Sequence, residues 1–150
     1  MQVAIYGRLI KKDALPYVQQ LFDLLNTRNI KCLIHEEYYP HLVNNIQFKQ
    51  QPEIFYEKEK DKIKNIDFMF SVGGDGTLLD TITIVKDTKV PIVGINIGRL
   101  GFLASIGKDG IEDMIDALEQ GTFSLDERSL IHLDSNMPEL FGGDNFALSE

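Results

Sequence analysis

Ser71-Val72-Gly73-Gly74-Asp75-Gly76-Thr77 sets three glycines, a carboxylate and two hydroxyls at the point where an apolar run stops. Ile66, Phe68, Met69, Phe70 and Val72 read as a buried strand, and Leu78, Leu79, Ile82 and Val85 read as the start of a helix. A strand that ends in glycines and feeds a helix can cradle a phosphate, because the backbone approaches an anion without a Cβ in the way. The helix start adds unpaired N–H donors and the positive end of the helix dipole. Asp75 sets this loop apart, since a carboxylate repels a phosphate. It is either a turn residue facing away or a catalytic group kept near the phosphate. Asp-Gly is also a common turn pair. Two familiar phosphate loops are absent: no Gly-x-x-x-x-Gly-Lys-[Ser/Thr] occurs, and residues 73–79 do not satisfy Gly-x-Gly-x-x-Gly.

A second glycine-rich segment follows after one helix length. Val90-Pro91-Ile92-Val93-Gly94-Ile95-Asn96-Ile97-Gly98-Arg99-Leu100-Gly101-Phe102-Leu103 is another apolar strand running into a loop. A strand-helix-strand unit with parallel strands brings both loops to one edge of a sheet, where open α/β sheets bind ligands.

The two segments together resemble the paired signature of NAD kinases. The likeness covers roughly residues 66–150 and includes the spacer, Gly110 to Thr122 with Phe123 onward, and Ala147-Leu148-Ser149-Glu150. Gly-Gly-Asp-Gly-Thr alone is shared with a wider superfamily that includes lipid kinases and phosphofructokinases. The resemblance implies that Asp75 is the general base, taking the proton from the adenosine-ribose 2′-hydroxyl of NAD as it attacks the terminal phosphate of ATP or another polyphosphate donor. Gly73, Gly74, Gly76 and Thr77 would hold the donor phosphates or the ribose. Asn96, Gly98, Gly101 and Phe102 would shape the nucleotide pocket. Mg²⁺ or another divalent metal would be carried with ATP, with no metal site of the protein's own.

The resemblance departs at Ser149-Glu150, where the family has Asn-Glu. Glu150 carries over to the dinucleotide site. Serine there keeps a hydroxyl but loses reach and the amide's second group. NAD kinases also carry a β-rich second domain and form dimers or tetramers. Residues 1–123 then read as an α/β nucleotide-binding domain and 124–150 as the beginning of the β-rich domain, incomplete. Leu130 to Asp134 and Phe146 to Leu148 look like its first strands, expected to be poorly ordered or to pair with another copy unless more chain follows.

The elements that must position these loops follow from hydrophobic spacing. Strands are expected at about 2–6, 31–35, 66–72 and 91–95. Helices are expected at 14–27, where Val18, Leu21, Phe22 and Leu25 form a stripe, at 76–87, and at 110–120 with Ile111, Met114, Ile115 and Leu118 on one face. Between Glu36 and Asn65 only a helix near 38–48 and a loop around Pro52 are suggested. The alternation gives a doubly wound, mostly parallel α/β sheet.

Composition agrees with a soluble cytoplasmic domain: 43% apolar residues without a membrane-length run, and no signal-peptide layout. The net charge of −8 argues against nucleic acid, whose backbone needs a basic surface. The sole cysteine, Cys32, lies in an apolar run and reads as core rather than reactive thiol. His35, His41 and His132 lack metal-ligand spacing. The mixed-sign run Glu57 to Lys62 reads as a solvated face or loop. Arg8, after the first strand, reads equally as exposed or as facing a nucleotide. Arg99 is by default an exposed loop arginine, and Asp80 a first-turn acid complementing the helix dipole. Two readings remain: an NAD kinase, or a nucleotide-binding module without turnover. A lipid or sugar kinase is disfavoured by the second loop.

Overall fold

A computed structural model of the chain describes residues 1–98, 101–134 and 146–149. Six parallel strands form the main sheet: β1 (Gln2–Gly7), β2 (Lys31–His35), β3 (Glu53–Phe55), β4 (Phe68–Gly73), β5 (Ile92–Asn96) and β6 (Ile106–Gly107), in the spatial order β3-β2-β1-β4-β5-β6. All neighbouring pairs are parallel. The strand order reverses between β1 and β4, the two central strands, so their carboxyl ends flank the crevice of the sheet.

Both faces are covered, as expected for parallel strands. Val3, Ile5, Phe68, Phe70 and Val72 point to one side, where they meet α1 (Leu15–Thr27) and α5 (Ile111–Gln120). Ala4, Tyr6, Leu33 and Met69 point to the other, towards Ile63 of α3 (Lys60–Lys64) and Val85 of α4 (Asp75–Val85). The predicted apolar stripes of α1 and α5 are the buried ones. Helix α5 ends at Gly121, whose φ of 69° is a conformation glycine adopts without cost.

The middle of the chain departs from expectation. Instead of a helix over 38–48 there is one turn, α2 (Tyr39–Leu42). The Asn45 side chain takes the His41 carbonyl at 3.0 Å, the local competition through which asparagine ends helices. Strand β3 and helix α3 form where none was expected. The end of the mixed-charge run opens α3, which buries Ile63 and leaves Asp61 and Lys64 exposed.

Residues Leu130–His132 (β7) and Phe146–Leu148 (β8) pair antiparallel within the chain, as a sheet separate from the parallel one. Strand β8 lies beside α4. Among the described residues, no helix is long and apolar enough to cross a membrane.

Gly94 ties the parts together. A Cβ there would lie 2.8 Å from the Ala104 backbone and 2.8 Å from Leu78 of α4. Gly94→Ala is therefore expected to cost about 1–3 kcal/mol of stability, a fall in Tm of roughly 3–10 °C for a domain of this size. Thermal denaturation checks this, and an unchanged Tm would mean that the second loop does not pack on β5.

Candidate active site

The two glycine segments meet at the carboxyl edge of the sheet. Strands β4 and β5 pair with Ser71 opposite Gly94 and Gly73 opposite Asn96, so both strands release their loops side by side. The ladder continues one step further, as the Ile97 N–H donates to the Gly73 carbonyl at 3.3 Å.

Helix α4 begins directly on the first loop. Gly74 is its N-cap in extended conformation, with no side chain capping the end. The first intrahelical bond runs from the Leu78 N–H to the Gly74 carbonyl at 3.1 Å, so the amides of Asp75, Gly76 and Thr77 precede the helical ladder. Space is left in front of them: a Cβ on Gly74 or on Gly76 would meet nothing within 4 Å. Gly73 is the opposite case, because a Cβ there would overlap the buried Thr77 side chain. The hydroxyl of Thr77 thus packs back on β4, and its carbonyl accepts the Thr81 hydroxyl at 2.8 Å.

Asp75 does not face away. Its Oδ2 accepts the Phe102 N–H at 2.8 Å, and its Oδ1 accepts the N–H groups of Leu103 and Ala104, each at 3.0 Å. The acid in the first loop therefore holds the second. Gly101 is required beside it, since a Cβ would overlap the carboxylate. The Ala104, Phe102 and Leu103 amides hold the Asp75 carboxyl below the usual aspartate range, against a smaller opposing effect of burial. It stays ionised at neutral pH and well into acid.

Asn96 holds the same loop from its other end. The side chain is buried; its Oδ1 accepts the Gly98 N–H at 2.9 Å, and its Nδ2 reaches the Ala104 carbonyl at 3.5 Å. Between these two anchors the Phe102 ring projects into solvent, 99% exposed. An apolar ring held out beside a carboxylate is a surface on which a nucleotide base can stack.

Seven of the predicted site residues thus gather here with Asp75: Gly73, Gly74, Gly76, Thr77, Asn96, Gly101 and Phe102, and Gly98 joins them through Asn96. Ser149 follows β8, which lies beside α4, and its N–H donates to the Ser129 carbonyl at 3.0 Å, continuing the antiparallel pair. Glu150 and Arg99 lie outside the described residues.

Asp80 corrects an expectation. Because α4 starts at Asp75, Asp80 belongs to the second turn, past the reach of the helix end. It pairs with the Arg8 guanidinium and accepts the Tyr6 hydroxyl at 3.3 Å. No spacing in the sequence announced this pairing across 72 positions. Cys32 is partly buried against the core, and burial pushes its thiol up to about 12, which makes it inert. His35 is buried edge-on between the rings of Tyr6 and Phe55, and its Nδ1 accepts the Glu37 N–H at 3.3 Å.

A cleft of about 830 Å³ lies among α4, β5, α5 and the β7–β8 pair. Leu78, Ile82, Val93, Met114, Leu118 and Leu148 are among its walls. Its lining is mainly apolar and contains neither Asp75 nor the amides at the start of α4, so it is not the phosphate site.

Comparison with known proteins agrees with this geometry. The sequence profile of the ATP-NAD kinase N-terminal domain matches residues 3–123. NAD kinase of Cytophaga hutchinsonii is 43% identical over the whole chain, which covers 51% of that protein. NAD kinase of Christiangramia forsetii is 38% identical over 91% of the chain, covering 46% of its own length. The chain thus spans about half the length of these curated relatives. Among solved structures, yeast NADH kinase complexed with NADH has the same fold, with a TM-score of 0.69 at 18% identity, over 90% of this chain and 44% of that one. A profile match over 121 residues, with both glycine segments of its signature meeting at one sheet edge, establishes that the chain belongs to the NAD kinase family, as its ATP-NAD kinase N-terminal domain.

Proposed function

We propose that this chain supplies the phosphate-binding edge of an NAD kinase, which transfers the terminal phosphate of ATP, or of a polyphosphate, to the adenosine-ribose 2′-hydroxyl of NAD. The observation that carries this reading is the Asp75 carboxylate standing between the two glycine segments. Donor phosphates sit against the amides of Gly74 to Thr77, where a helix start and open space favour an anion. The acceptor lies along the loop from Asn96 to Phe102, with Ser149 and Glu150 contributing from beyond β8.

Asp75 has one place left for a proton. An ionised carboxylate offers about four lone-pair sites, and three backbone bonds leave roughly one, on Oδ2. The same bonds make it a weak base. Weakness is tolerable in phosphoryl transfer, whose loose transition state depends on positioning and charge neutralisation more than on an early proton removal. A divalent metal such as Mg²⁺ fits this site as a passenger of the nucleotide: it takes oxygen ligands, and Asp75 has at most one to offer. When bound, it neutralises charge on the donor oxygens.

The reading extends to a cytoplasmic enzyme that assembles as a dimer or tetramer. Residues 1–123 are its nucleotide-binding domain and 124–150 open a β-rich one, a division supported by the separate β7–β8 sheet. A second reading, a binding module without turnover, is favoured by the commitment of Asp75 to the loop amides.

Asp75→Asn separates the two. In Asp75→Asn the Nδ2 that replaces one carboxylate oxygen can accept neither the Phe102 N–H nor a substrate proton, so NADP formation is expected to fall about 10²–10⁴-fold while ATP affinity, set at the amides that open α4, stays within a few-fold. The assay is run on this chain and on a chimera that continues it with the remaining half of the Cytophaga hutchinsonii relative. Equal losses in binding and rate would make Asp75 a loop anchor only. Gly74→Val tests the cradle: with open space around the position, the fold is expected to survive with less than about 2 kcal/mol lost, and calorimetric titration is expected to detect no ATP binding. Undiminished binding would remove the donor from this loop.

A further inference from the structure

Arg8 stands at the other lip of the crevice. The β1–β4 register sets Gly7 opposite Val72, so Arg8 leaves the sheet beside Gly73, the last residue of β4, where the strand order reverses. The Asp80 carboxylate takes Nη2 of its guanidinium, and the Tyr6 hydroxyl donates to the same carboxylate. A guanidinium has five N–H donors. The Arg8 side chain remains 61% exposed, so the donors that do not face Asp80 and Tyr6 are open to a ligand.

The charge balance of the crevice calls for such a cation. The chain carries a net charge of −8, and Asp75 and Asp80 both stand on the first turns of α4. A triphosphate bound at Gly74 to Thr77 would bring several more negative charges against them. The amides at a helix start compensate for one phosphate group; a chain of two or three needs a further donor along its length. Arginine suits that task through its planar fork of donors, and a carboxylate behind it fixes the fork in place.

We propose that Arg8 is a donor-binding residue: it receives the polyphosphate chain of the nucleotide from the β1 side, with Asp80 and Tyr6 as its positioning residues, and so selects nucleoside triphosphates over monophosphates. This rests on the kinase reading above.

Calorimetric titration of wild type, Arg8→Ala and Arg8→Lys with ATP, tripolyphosphate, AMP and NAD tests it, with circular dichroism confirming that the variants fold. Arg8→Ala is expected to weaken ATP and tripolyphosphate about ten- to a hundredfold and to leave AMP and NAD within twofold. Arg8→Lys, which keeps the charge and loses the fork, is expected to fall between. Unchanged ATP affinity in Arg8→Ala overturns the proposal and leaves the kinase reading standing, as does an equal loss for AMP and NAD, which would make Arg8 structural. A wild-type chain that binds neither ATP nor tripolyphosphate removes this proposal together with the donor half of that reading.

Discussion

Three hydrogen bonds to one carboxylate organise this molecule's candidate active site. Asp75 lies at the first position of α4, and the amides it accepts lie 27 to 29 residues later, beyond the next strand. Each glycine segment alone is a strand end with small residues. Joined through Asp75, they become two walls of one crevice. The bonds are charge-assisted, which makes them stronger than neutral ones, and they set the carboxyl's pKa as well as the loop's position. Structure and basicity are therefore controlled by the same contacts: what fixes the loop also keeps the acid ionised.

The surroundings of that carboxylate are arranged to tolerate it. Gly101 lets the loop backbone approach closely, and Asn96, buried at the end of β5, grips the loop at Gly98 and Ala104. A buried amide does this well because it can accept from one backbone group and donate to another. On the opposite lip, Asp80 and Arg8 neutralise each other at the surface. Exposed ion pairs of this kind add little to stability, which directs attention to what the guanidinium does at the crevice.

Much of the fold was legible in the sequence because its central elements follow clean periods. The strands β1, β2, β4 and β5 and the helices α1, α4 and α5 all fall within a few residues of their expected bounds. The missed elements lack a period long enough to read. Strand β3 is three residues long, and it exists because Leu33, Ile34 and His35 of β2 need partners on that side. Strand β6 has two residues. Helix α3 has one buried anchor among its described side chains, Ile63, between charged residues. At the site, residue types and spacing were sufficient to gather the glycines, Thr77, Asn96 and Phe102 around Asp75. They could not name the partners of Asp75, because backbone amides carry no signature in a sequence. The pairing of Asp80 with Arg8 was hidden for a related reason: it depends on β1 lying next to β4, which only the strand order reveals.

The closeness of Gly94 to Ala104 and Leu78 also bears on strand slippage. In a parallel pair, a shift of one residue turns every side chain to the opposite face of the sheet. If β5 slipped by one place against β4, Ile95 or Val93 would take the position of Gly94, and a branched side chain would have to occupy the space that Ala104 now fills. The second loop would be pushed off α4, and Asp75 would lose its amides. A misregistered sheet thus cannot assemble the crevice, so the contact that shapes the site also proofreads the alignment of the strands beneath it.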